Sequence, residues 1–253
     1  MDLGLSDRVY VVTGASRGLG RACAEQLAAE GARLVLCGRD EDALTATAAY
    51  LGGPERALPV PGDLSSPGIE TCLVAAAMAR YGRLDGALIS LGGPQRSTAM
   101  DTDDGAWRLA FESFFLAPLR LARTVGRLSS HEGTSIVLVL SSSVREPIAD
   151  LALSNGLRPG LAMVAKNLAD ELGSRNVRVN AILPGRIDTD RGRAVEAAVR
   201  LDDGRRAAEA LIPLGRFGEP LEFARPAIFL LSPAASYVTG TVLAIDGGMT
   251  RSL

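Results

Sequence analysis

Histidine is almost absent from this chain: His131 is the only one. A multi-histidine metal site and a Ser–His–Asp hydrolase are therefore poor expectations. The setting of His131, in Ser-Ser-His-Glu-Gly-Thr, reads as a surface loop. Cysteine is scarce too. Cys23, Cys37 and Cys72 are odd in number and form no CxxC pair, which excludes a disulfide framework and a structural zinc site. Each is expected to be a small core residue in a reducing compartment. No apolar run approaches the roughly 18 residues that span a bilayer. Met1–Val12 lacks the basic and apolar stretches of a leader. The expectation is a soluble, cytoplasmic protein without a membrane partner. A basic block is also missing. The 27 basic and 29 acidic residues leave a net charge of −2, so binding to nucleic acid through its phosphates is not expected.

What the chain does have is length and apolar content. Its 253 residues, 47% of them apolar, can bury a large core without a covalent staple. Short β-rich runs alternate with longer helical stretches throughout. Val9–Val12, Arg33–Cys37, Ala57–Pro61, Leu84–Ser90, Ser135–Leu140, Val177–Leu183 and Thr241–Ile245 read as strands. Pro59 interrupts the third and leaves its pairing open. Helices are expected over Arg17–Glu30 (stopped by Gly31), Glu41–Leu51, Pro67–Tyr81, Asp104–Leu128 with a kink at Pro118, Leu161–Leu172, Arg193–Leu211 and Pro220–Leu231. Strands apolar throughout, set between helices, imply a parallel sheet covered on both faces. The expectation is α/β: one doubly wound, Rossmann-type domain over residues 1–253, its mainly parallel sheet seven-stranded.

The first strand runs into Thr13-Gly14-Ala15-Ser16-Arg17-Gly18-Leu19-Gly20, and a helix follows. Such a loop turns tightly and lets a pyrophosphate approach the positive end of the helix. Three glycines are more than a plain strand-to-helix turn needs. The spacing Gly-x3-Gly-x-Gly resembles that of the short-chain dehydrogenase/reductase family, and the resemblance extends over nearly the whole chain. Asp63-Leu64 is similar to the family's adenine-contacting pair. Leu91-Gly92-Gly93-Pro94 stands where the family has Asn-Ala-Gly. Ser141-Ser142-Ser143 ends the fifth strand, and Asn180-Ala181-Ile182-Leu183-Pro184-Gly185 is similar to the segment beside the nicotinamide. Within the family the chain looks most like the ketoacyl-carrier-protein reductases. The resemblance implies a small-molecule substrate, a homotetramer, and a substrate loop or lid over about residues 186–212. Ile187 and Thr189 would lie on the nicotinamide side of that loop. The apolar stretch Phe114–Leu119 of the long helix supports a covered subunit interface.

No acidic residue ends the second strand, where one would bind the ribose hydroxyls of NAD. The segment is Cys37-Gly38-Arg39-Asp40. Arg39, with Arg17 of the glycine loop, is placed to pair with a 2′-phosphate, so the expected cofactor is NADP(H).

The family's chemistry is hydride transfer between nicotinamide and a carbonyl or alcohol. It uses a tyrosine acid/base, a lysine four residues later, a serine on the fifth strand and an asparagine on the preceding long helix. Here the tyrosine position falls on Ser154, the lysine position on Arg158 and the asparagine position on Phe114. Only the serine is retained, expected as Ser142. A serine hydroxyl titrates far above neutral pH, and arginine stays protonated. Arg158 could still hold a ribose hydroxyl or polarise a carbonyl oxygen. Pro159 and Asn155-Gly156 suggest that the helix starts near Pro159, with Ser154–Arg158 in a loop over the cofactor. Two function classes follow. One is an NADP(H)-dependent oxidoreductase with a rearranged proton donor. The other is a cofactor-binding member without redox turnover.

Overall fold

The structure, a computed structural model, describes residues 2–128, 133–189 and 202–252. Seven strands form one sheet: β1 (Val9–Thr13), β2 (Arg33–Gly38), β3 (Ala57–Pro61), β4 (Gly86–Ile89), β5 (Thr134–Val139), β6 (Val177–Pro184) and β7 (Val242–Ile245). Their order is β3-β2-β1-β4-β5-β6-β7, and each neighbouring pair is parallel. The helices are α1 (Gly18–Ala29), α2 (Glu41–Tyr50), α3 (Ile69–Tyr81), α4 (Asp104–Phe111), α5 (Ala117–Arg127), α6 (Ala152–Leu172), α7 (Asp202–Ala210) and α8 (Pro220–Leu231).

The doubly wound α/β reading is therefore right. β1, β4 and β5 are buried along their whole length, as strands covered on both faces must be. Leu73, Leu121, Ile136 and Leu161 belong to one core, while Leu27, Leu34, Phe223 and Ile228 belong to the other. Each such side chain contributes about 1.5–3 kcal/mol by leaving water. Pro59 is tolerated because β3 is an edge strand that pairs only with β2. At the end of α8, Arg178 donates to the carbonyls of Leu230, Leu231 and Ser232 at 2.8, 3.3 and 2.9 Å. That supplies donors for carbonyls that a helix terminus leaves over. No helix among the described residues is long and apolar enough to cross a membrane.

Several local expectations need correction. The long helix Asp104–Leu128 breaks not at Pro118 but at a π-helical turn over Glu112–Leu116. Pro118 is the second residue of α5 and directly follows that turn, where the Ala117 N–H bonds back to the Glu112 carbonyl. α6 begins at Ala152, not near Pro159, and carries Pro159 inside it. Burial of Leu153, Leu157 and Leu161 along one face outweighs the local cost of proline. α3 starts at Ile69 rather than Pro67, behind Gly68. Cys72 is exposed, while Cys23 and Cys37 are core residues. His131 and residues 193–201 of the expected Arg193–Leu211 helix lie outside the described residues; Asp202–Ala210 is helical.

Candidate active site

The strand order reverses between β1 and β4, and in doubly wound sheets that is where ligands bind. Thr13 ties the two strand ends together. Its hydroxyl donates to the Ser90 carbonyl at 2.7 Å and accepts from the Ser90 N–H at 2.9 Å. The glycine loop sits directly above this tie.

Each glycine of the loop has a distinct reason. A Cβ on Gly20 would lie 2.3 Å from the Gly14 carbonyl oxygen, so nothing larger fits where α1 folds back on the loop. Gly18 holds φ +58, and a Cβ there would meet nothing within 4 Å. It faces open space at the first turn of α1, where unpaired N–H groups favour an anion. Gly14 and Ser16 complete the turn, with Ser16 and Leu64 buried and Leu19 half-buried. These residues fit a dinucleotide pyrophosphate: an open approach, no side chain in the way and a helix N-terminus behind it.

At the end of β2, Arg39 is exposed, and its guanidinium lies 3.9 Å from the Asp63 carboxylate. Arg17, in the loop itself, is exposed too. Asp40 does not compete for Arg39. Its carboxylate accepts the Ala43 N–H at 3.1 Å and caps α2. Asp63 is held below the usual carboxylate range: burial pushes it up, but hydrogen bonds from Ser65 and the charge of Arg39 outweigh that. Beneath them burial pushes the Cys37 thiol up to about 12, with Asp63 adding to the rise, so Cys37 is an inert core group.

The catalytic positions lie on the other side of the crevice, where β5 runs into a short 3₁₀ turn over Ser142–Val144. Ser143 and Ser154 are buried and their hydroxyl oxygens are 2.9 Å apart. The hydroxyl that meets Ser154 is that of Ser143; Ser142, the expected catalytic serine, is the buried residue before it in the same turn. Three consecutive serines carry no signal to choose between them. The 3₁₀ turn chooses, because successive side chains in it point about 120° apart.

Arg158 is only 3% exposed. It donates to the Val139 carbonyl at 2.7 Å and to the Gly92 carbonyl at 3.5 Å. Its guanidinium carbon lies 5.7 Å from the centre of the Phe114 ring. The guanidinium expected to hold a ribose hydroxyl or polarise a carbonyl oxygen thus already engages two main-chain carbonyls. The guanidinium joins the end of β5 to the loop after β4 and is roofed by an aromatic face. Phe114 packs with Ala110, Leu153, Leu157 and Trp107. Trp107, the only tryptophan, lies so close to α6 that a Cβ on Gly156 would come 2.8 Å from its ring.

No tyrosine substitutes from elsewhere. Tyr10 is buried and donates to the Leu231 carbonyl, Tyr81 donates to Leu34 and Pro54, and Tyr50 and Tyr237 are exposed. Beyond β6, Gly185 bonds to the Ile245 carbonyl at 2.9 Å. Ile187 bridges to Gly218, and Thr189 is half-buried. Pro184, Gly185, Ile187 and Thr189 therefore line one continuous stretch leading out of the sheet. Among the described residues, no cluster of His, Cys, Asp or Glu could hold a metal ion.

A sequence model of the family described as enoyl-(acyl carrier protein) reductase matches residues 14–250. The chain belongs to the short-chain dehydrogenase/reductase family of oxidoreductases. It is 31% identical over 249 residues to the 3-oxoacyl-[acyl-carrier-protein] reductase FabG of Escherichia coli, covering 96% of this chain and 97% of that protein. It is 34% identical over 249 residues to an uncharacterised oxidoreductase of Mycobacterium tuberculosis, covering 97% of this chain and 93% of that one. Among solved structures it superposes on L-sorbose reductase of Gluconobacter frateurii, complexed with NADPH and L-sorbose. The TM-score is 0.93 and the identity 32%, with both chains covered completely.

Proposed function

We propose that this oxidoreductase binds NADP(H) and acts on a carbonyl or alcohol at a site where a pair of serine hydroxyls replaces the family's tyrosine. The observation that carries this is the buried contact between Ser143 and Ser154, 2.9 Å apart, at the end of β5. Gly14, Ser16, Gly18, Leu19 and Gly20 would hold the pyrophosphate, and Arg17 and Arg39 a 2′-phosphate. Asp63 and Leu64 would meet the adenine, and Gly92, Pro184, Gly185, Ile187 and Thr189 the nicotinamide side. The nicotinamide would supply or accept the hydride.

The rest of the chemistry falls to this chain. Ser143 and Ser154 can orient a substrate oxygen, because each hydroxyl both donates and accepts. Neither is a useful acid at neutral pH, so the proton comes from water or from the substrate's own acidic group. Arg158 is a positioning residue: it fixes the Gly92 loop against β5 while Phe114 keeps water from the guanidinium. The L-sorbose reductase complexed with NADPH supports the cofactor assignment by likeness.

The exposed Leu109 and Phe111 of α4 fit a homo-oligomer, with the tetramer as the expected form. Sedimentation at micromolar protein tests it, and a monomeric mass counts against it. The function itself is tested by titrating NADPH and NADH against the chain and then supplying simple ketones and ketoacyl thioesters. NADPH binding with slow turnover agrees with the proposal. Fast turnover of an ordinary ketoacyl thioester refutes the altered proton path.

A further inference from the structure

The C-terminal segment after β7 touches both halves of the site. Its root is Asp246, whose carboxylate accepts the N–H groups of Gly248 and Thr250 at 2.9 and 2.8 Å. Asp246 presses on the nicotinamide-side segment: a Cβ on Gly185 would lie 2.4 Å from the Asp246 Cβ. The tip of the segment lies on the serine turn. One oxygen of Glu146 accepts the consecutive N–H groups of Arg251 and Ser252 at 2.9 and 3.0 Å. Consecutive main-chain N–H groups converging on a carboxylate oxygen make a charge-assisted anion cradle.

Glu146 is coupled to the serines through the backbone. Its own N–H, like that of Arg145, donates to the Ser142 carbonyl, at 3.2 and 2.9 Å. Ser143 is the middle residue of that turn. A second tie runs beside the first, from the Arg145 guanidinium to the Val242 carbonyl of β7 at 3.4 Å. Farther along the loop, the Asn155 carboxamide clasps Ile148, accepting its N–H at 3.0 Å and donating to its carbonyl at 2.8 Å. The loop from Ser141 to Leu151 is thus fixed at its end by α6 and at its middle by the C-terminal segment. Among the described residues, the N–H groups of Arg251 and Ser252 bond to Glu146 alone.

We propose that residues Asp246–Ser252 form a strap that holds the serine turn in register with Ser154, and that Glu146 is the positioning residue through which the strap acts. The proposal rests on the reading of Ser143 and Ser154 as the substrate-orienting pair. The strap also explains how one short segment can keep Gly185 and Ser143, just beyond the ends of the neighbouring strands β6 and β5, at a fixed separation. It carries no reacting group and needs none.

The test compares the full chain with Glu146→Ala, Glu146→Gln, a chain ending at Thr250, and Glu146→Ala in that shortened chain. The main readout is amide hydrogen exchange over residues 143–148, with thermal unfolding as the measure of global stability. Glu146→Ala and the truncation are each expected to speed local exchange about tenfold, with the melting temperature nearly unchanged. The combined variant should be no faster than either alone, because both remove the same contact. Glu146→Gln keeps an acceptor oxygen and should restore most of the protection. NADPH binding, measured separately on the unaltered chain, tests the cofactor reading alone and does not bear on the exchange result. Unchanged exchange in both Glu146→Ala and the truncated chain would overturn the strap. So would equal exchange in the Gln and Ala variants, or additive effects in the combined one.

Discussion

The two sides of the crevice are built on opposite terms. On the β1–β2 side, Gly14, Gly18, Gly20 and Asp63-Leu64 resemble the family's pattern. On the β5–α6 side, the three positions expected to carry tyrosine, lysine and asparagine hold Ser154, Arg158 and Phe114. Yet the second side is no less ordered. Ser154 meets Ser143, Arg158 meets Val139 and Gly92, and Phe114 covers Arg158. Here the replacements contact one another, as a set that fits together must. One side is kept by what a dinucleotide demands of a backbone, and the other by what its own side chains demand of each other.

That contrast can be broken from either side. The largest effect is expected at Gly20. A methyl group there meets the Gly14 carbonyl at 2.3 Å, and forced overpacking of this kind costs roughly 3 kcal/mol or more. Gly20→Ala should abolish measurable NADPH binding in a fluorescence titration and lower the unfolding midpoint. On the other side, Arg158→Ala strips the Val139 carbonyl of its donor and opens a void under Phe114. Urea unfolding should show a loss of roughly 2–4 kcal/mol, and Arg158→Lys should recover only part of it. Retention of full stability in Arg158→Ala would mean that the guanidinium is not a clamp.

Arg39→Ala sharpens the comparison without touching the core. A charge-assisted contact to a phosphate is worth about 1.5–3 kcal/mol, so NADPH affinity should fall by about 10- to 100-fold. NADH affinity should stay the same. A smaller change is expected at Gly156, where a methyl group would crowd Trp107. Gly156→Ala should shift the emission of this single tryptophan and cost about 1–2 kcal/mol.

The smallest effect is that of acid. Burial tends to raise the carboxyl of Asp246, but hydrogen bonds from Thr250 and Gly248 outweigh this and hold it below the usual range. A depressed carboxylate stabilises the fold fully above its unfolded pKa of about 4, and that stability is lost as pH falls through the folded value. Protection of the C-terminal amides, taken as the intrinsic exchange rate at each pH over the observed one, should therefore fall only below about pH 4 and stay level from there to neutrality.

The sequence was readable where chemistry requires backbone shape. Glycines and apolar strands report directly on turns and burial, so the sheet and the pyrophosphate loop followed from them, while Asp63-Leu64 and Pro184-Gly185 were legible only through the family resemblance. Side-chain partnership was not readable. Nothing in Ser141-Ser142-Ser143 says which hydroxyl faces Ser154. Pro159 argued locally for a break in α6, but burial of Leu153, Leu157 and Leu161 holds the helix through it. Arg158 stands at the family's lysine position, which suggests a ribose hydroxyl or a substrate oxygen as its partner. Only the fold shows the Val139 carbonyl waiting at the end of β5. Glu146 left no mark at all, since its partners are main-chain N–H groups more than a hundred residues away.

The claim at the centre is that an intact dinucleotide side is joined to a catalytic side without an acid of its own. Steady-state oxidation of NADPH by the unaltered chain, with a simple 3-ketoacyl thioester as substrate, tests it most directly. Losing a general acid commonly costs a factor of roughly 10² to 10⁴, and a typical enzyme turns over at about 10 s⁻¹. The expected rate is below about 0.1 s⁻¹, although NADPH is bound. Turnover near 10 s⁻¹ by the unaltered chain would contradict the account and place the proton donor elsewhere.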